Sequence, residues 1–240
     1  MSLSQDCGRF LLAVGMLLAG AHEAGAQTRP DLHGLWWPQP VQTPLQPVGG
    51  GAVPLTAEGR KRYDASAATL KAEAGKPVGR DDLRRCLPLG PTRIVGQNFP
   101  LQIVQKVEKT GEQFVLIWEH NHSYEQVYLN EKPDLERDPA YMGNSVGVWT
   151  ADGIAITTTN FKDGTLLDDS GLPHSDKLSM TRTLRKIDGG KLLEIVTTII
   201  DPVVFSKPWQ VRHTLQLRPN ERIEEYTCGQ GPTLETRYTR

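Results

Sequence analysis

The sequence lacks an excess of either charge: 27 Lys and Arg stand against 28 Asp and Glu in 240 residues. A chain this close to neutral has no electrostatic footprint for a nucleic acid, and no basic stripe concentrates its positive residues. It has no glycine-rich phosphate loop and no strong metal motif, which disfavours phosphoryl transfer and redox chemistry and implies no cofactor. Cysteine is scarce, at three residues. Long apolar runs are scarcer still. The one candidate, Phe10 to Ala21, falls short of the roughly 20 residues that a membrane-crossing helix needs, so no transmembrane segment is expected.

That run has a different reading. Arg9 gives a basic start, the apolar stretch follows, and Ala24-Gly25-Ala26 ends it with small residues. This is the tripartite pattern of a secretory signal peptide over residues 1–26, and it implies a periplasmic or secreted protein. Cleavage would remove Cys7 and leave Cys86 and Cys228, an even pair expected to form a disulfide in an oxidising compartment. Closing so long a loop stabilises a fold by about 4–5 kcal/mol on the chain-entropy model.

Residues 27–55 are rich in Pro and Gly and read as an extended arm in which Leu35, Trp36 and Trp37 are apolar enough to dock. Residues 56–240 read as a single β-rich domain. It opens with a helix over 56–74, capped by Thr56, stopped at Gly75, and packed on the sheet through Tyr63, Ala67 and Leu70. From Leu101 the pattern turns to β, with strands expected at 101–108, 113–119, 123–129, 145–150, 153–160, 178–187, 191–200, 210–218 and 222–227. Thr110-Gly111, Asp152-Gly153 and Asp188-Gly189-Gly190 carry hairpin chemistry. Short links imply an antiparallel meander, and a meander of about nine strands must hide its edges. A lipocalin-like (calycin-like) barrel is the expected fold, with a β-sandwich as the alternative. Two longer connections, 130–144 and 161–177, mark the places where function concentrates.

Four groups of residues have chemistry to offer. His174, with Asp176 or Asp169, makes a candidate acid–base pair at the barrel mouth. His120 and His122, two apart at an expected strand end, would face one side if extended and with Glu125 make a candidate metal site. Trp149, Phe161 and Trp209 are candidate cavity aromatics. Arg182, inward between Met180 and Leu184, needs a carboxylate partner or marks an anionic ligand. Ser145 lies in Gly143-Asn144-Ser145-Val146-Gly147, which matches the nucleophile-elbow string. Strand-like residues follow where that motif needs a helix, so Ser145 is taken as a ligand-contacting residue and not a nucleophile.

The strings MGNSVGVW at 142–149, TTTNF at 157–161, GLPHSD at 171–176, DPVVFSKPW at 201–209 and EYTC at 225–228 resemble a family of secreted bacterial β-rich proteins of unassigned function. The resemblance implies no chemistry, but it draws attention to 142–149 and 171–176. Three functions follow from the residues. The first is an exported barrel binding a small apolar or aromatic molecule. The second is a cofactor-independent hydrolase, lyase or isomerase using the His/Asp pair. The third is an envelope structural or interaction protein whose barrel is simply filled.

Overall fold

The computed structural model describes residues 29–74, 81–109 and 111–226. Its elements run β1 (Gly34–Pro38), α1 (Ala57–Glu73), α2 (Pro91–Gly96), β2 (Leu101–Glu108), β3 (Gly111–Trp118), β4 (Tyr124–Leu129), β5 (Asn144–Trp149), β6 (Gly153–Thr159), β7 (Ser179–Ile187), β8 (Leu192–Ile200) and β9 (Trp209–Leu217). The nine strands close into a barrel in chain order, with β9 returning to β1. Closure leaves no free sheet edge. The mostly β, lipocalin-like expectation is met, and the sandwich is not what forms.

Three features of the strands depart from the sequence reading. The first is β1, which lies inside the expected arm. Trp36 pairs with Leu101 on one side and Leu217 on the other, and it is fully buried, so this short strand closes the barrel. Its Pro and Gly surroundings hide it in the sequence. The second is the pairing of β4 with β5, which is parallel, Val127 opposite Ser145 and Leu129 opposite Gly147. The connection 130–143 is long enough to carry the chain back along the barrel, as a parallel neighbour requires. The third lies at the end of the chain, where 222–226 forms no strand and 227 falls outside the described residues.

Helix α1 begins where expected: the Thr56 side chain accepts a hydrogen bond from the Gly59 amide, and Glu58 sits in the first turn. It docks on connections and not flat on the sheet. A Cβ at Gly59 would stand 2.1 Å from the Val204 carbonyl oxygen, and Ser66 donates to the Gly171 carbonyl. Helix α2 is short and was not foreseen; Pro91 opens it and every one of its residues is buried.

The core divides in two. Leu32, Trp36, Ile94, Phe114, Leu184 and Ile195 belong to one cluster. Leu45, Phe161, Leu172, Met180, Ile199, Phe205 and Trp209 belong to another, which the arm, α1 and the connections after β6 and β8 cover. Ala140 bridges Phe161, so the two long connections meet at this covered end.

Candidate functional site

Alternation along a strand sends every second side chain inward, and in a folded barrel those positions are normally apolar. On strands β1 to β3 the buried strand positions of that face are apolar, Trp36, Leu101, Ile103, Phe114, Leu116 and Trp118, with Gln105 and Glu112 further along the same faces. Strands β4 to β9 break the rule once each. Glu125, Ser145, Thr158, Arg182, Thr197 and His213 all occupy buried positions, none more than 4% exposed. Ser145 is opposite Thr158, and Arg182 is opposite Thr197. His213 is two residues beyond Val211, the partner of Thr197, on the same face of β9. The result is a polar belt running across six of the nine strands of the interior. It separates Leu184 and Ile195 of the first cluster from Met180, Ile199 and Val211 of the second.

One half of the belt satisfies itself. Arg182 grips Glu125 with two nitrogens, Nη1 donating to Oε2 at 2.9 Å and Nη2 to Oε1. Nη2 also donates to Thr158 Oγ1 at 2.9 Å. Ser145 Oγ donates to Glu125 Oε1 and lies 2.8 Å from Thr158 Oγ1. Since the one Ser145 proton goes to the carboxylate, the Thr158 hydroxyl must be the donor between the two hydroxyls. The guanidinium thus has the carboxylate partner that an inward Arg demands.

The other half has no such closure. Arg182 Nε, Thr197 Oγ1 and both ring nitrogens of His213 are buried without a hydrogen-bond partner. Leaving a buried donor or acceptor unmet costs about 1–3 kcal/mol each. Burial also holds the His213 imidazole at a pKa of about 4, so it is neutral near pH 7. The open side of the belt therefore offers an N–H, a hydroxyl and a neutral imidazole. It carries no uncompensated charge, because Glu125 neutralises Arg182. Such a set suits a neutral oxygen function, a carbonyl or hydroxyl, and disfavours a carboxylate.

Of the residues singled out in the sequence, the structure unites Arg182, Ser145 and Glu125 in this belt. Glu125 is there as the partner of Arg182 and not as a metal ligand. His120 and His122 lie in a 3₁₀ turn around Asn121 (φ +51°) and not on a strand, so the argument that they share a face fails. His120 is fully buried against Phe99, their rings 4.7 Å apart, and burial together with the nearby Arg93 charge lowers its pKa to about 4. Among the described residues no group of three or more potential ligands forms a metal site.

The acid–base pair is not assembled either, with Asp176 or with Asp169. His174 is buried; its Nδ1 donates to the Ser175 carbonyl, which leaves Nε2 to accept from Thr165 Oγ1. Desolvation lowers its pKa. Asp176 is on the surface with Lys177, and Asp169 accepts from Arg93 and Gln97. Arg93 of α2 also makes a two-nitrogen contact with Asp81, so these carboxylates hold the buried helix.

The three aromatics do not line one cavity. Trp149 packs edge-on against Phe114, its Nε1 donating to Glu112, while Phe161 and Trp209 belong to the covered second cluster. Cys228 lies outside the described residues, so the disulfide is not placed by the fold.

Thr158, Thr197 and His213 were missed in the sequence, although Thr197 and His213 each stand at an inward parity position between apolar neighbours, as Arg182 does. Neither a family model nor a curated protein nor a solved structure matches the chain.

Proposed function

We propose that the protein is an exported barrel that binds a small, mainly apolar or aromatic molecule carrying one neutral carbonyl or hydroxyl group. The observation that carries this reading is the unmatched half of the belt: Arg182 Nε, Thr197 Oγ1 and His213 gathered on adjoining strands inside a closed barrel. Ligand sites in barrels combine apolar walls with a few fixed polar groups, and here Ile195, Leu184 and Val211 adjoin the belt. Entry requires the covered end to open, because the inward side chains leave little free surface. Export through residues 1–26 and pairing of Cys86 with Cys228 are part of the proposal. N-terminal sequencing and mass determination with and without reductant test them.

The binding reading is tested by calorimetric titration with matched pairs of small aromatic compounds, a neutral ketone or phenol against the corresponding carboxylate. The neutral member is expected to bind and the carboxylate to fail. Binding of neither, with ordered water bridging His213 and Thr197 in a high-resolution crystal structure, would refute it. A second reading, an envelope interaction protein with a filled barrel, is favoured by the low exposure of the interior and by the exposed Tyr124 and Val148 on the outside of the barrel.

A further inference from the structure

Donors and acceptors of the belt do not balance, and the imbalance has a chemical sense. On the closed side both hydroxyl protons are committed: Ser145 donates to Glu125, and Thr158 donates to Ser145. Neither has a proton to lend across the barrel. On the open side Arg182 Nε carries one hydrogen and can only donate, while the Thr197 hydroxyl can donate and accept. The neutral His213 imidazole has one N–H and one bare nitrogen, whichever tautomer it adopts. That bare nitrogen can only accept, and neither Thr197 nor Arg182 supplies it with a proton. A carbonyl or an ether also only accepts. Either could satisfy the donors of the belt, but it would leave this nitrogen as unmet as before.

Register brings the groups together around Thr197. Arg182 is directly opposite it on β7, Val211 is opposite on β9, and His213 lies on the diagonal beyond Val211. Opposite side chains start about 5 Å apart and diagonal ones about 7–8 Å. A group seated over Thr197 therefore has a pure donor on one side and the imidazole on the other.

We infer that the ligand of the barrel carries a hydroxyl group, as an apolar alcohol or phenol, which donates to the bare nitrogen of His213 while it accepts from Arg182 Nε or Thr197 Oγ1. The inference rests on the binding reading given above and narrows it. A hydroxyl donates and accepts through a single atom, which a ketone, an ester or an ether does not. His213 is then the residue that determines specificity, because only its bare nitrogen demands a proton from the ligand.

Calorimetric titration of the exported protein at pH 7 with para-ethylphenol, para-ethylanisole and para-methylacetophenone tests this. The phenol is expected to bind about tenfold or more tighter than the ether or the ketone, the scale of one buried acceptor left unmet. Para-ethylcyclohexanol, titrated alongside, distinguishes an aliphatic alcohol from a phenol as the source of the hydroxyl. In His213→Leu, which removes the bare nitrogen, the phenol, the ether and the ketone should bind alike. A wild-type protein that binds the ether and the ketone as tightly as the phenol would overturn the inference and leave the binding reading standing. A preference for the phenol that persists in His213→Leu would overturn it as well, since ligand size would then decide. If no compound binds, the binding reading falls and the inference with it.

Discussion

Glu125 of β4 and Arg182 of β7 meet inside the barrel, 57 residues apart in the chain, as a two-nitrogen ion pair with both side chains almost fully buried. Breaking such a pair leaves a buried charge alone, a loss of about 3–5 kcal/mol. Glu125→Gln and Arg182→Met should each destabilise by that order in urea unfolding. The double variant Glu125→Leu with Arg182→Met should recover most of the loss, since apolar replacement of a buried pair is often neutral. A double variant as unstable as the sum of the singles would contradict this account.

Acid should weaken the fold through its buried imidazoles. His213 and His120 are held neutral, each at a pKa of about 4, against an unfolded value near 6.5. Above about pH 6.5 both states are unprotonated there and the two histidines contribute no pH dependence. Between about pH 6.5 and 4 the unfolded chain binds the protons and the folded chain does not, so stability falls as pH falls. Each site accounts for about 3 kcal/mol at full effect, and His174 adds in the same direction. His213→Leu should flatten the pH profile of the unfolding midpoint over this window. An unchanged slope would show that His213 is protonated or solvated in the folded state.

Gly59 sits inside α1, where Ala normally stabilises a helix by about 1 kcal/mol. Here an added Cβ meets the Val204 carbonyl oxygen at 2.1 Å. Gly59→Ala is therefore expected to destabilise, by about 1–3 kcal/mol, as overpacking does. A higher melting temperature for this variant would mean that α1 is not docked on the connection after β8.

Trp36 closes the barrel from a five-residue strand. Trp36→Ala should cost about 3–5 kcal/mol and raise amide exchange in β2 and β9, the two strands it joins. Exchange confined to β1 itself would show that the barrel holds without it.

Much of the barrel was legible because its strands alternate cleanly and its hairpins carry Gly-based turns, as between β5 and β6 at Asp152-Gly153. Arg182 was legible for the same reason: a charged residue at an inward position between Met180 and Leu184 has to be accounted for. Its partner was not. Glu125 was grouped with His120 and His122 by nearness in sequence alone. The turn around Asn121 separates the histidines from β4, and Glu125 on β4 faces across the barrel. The parallel β4–β5 pair brings Ser145 to the same belt, and nothing in a local pattern fixes the direction of a strand after a 14-residue connection (130–143). His213 and Thr197 matter through what they fail to contact, which only three-dimensional packing reveals.

The central claim is that the open half of the belt holds a ligand, and native mass spectrometry of the exported protein tests it most directly. The wild-type chain is expected to carry an additional small neutral mass that survives gentle desalting and disappears on denaturation. His213→Leu with Thr197→Val should fold at least as stably, because it removes unmet polar atoms, and should come without that mass. A wild-type protein of clean apo mass, or a variant that retains the same adduct, would contradict the account.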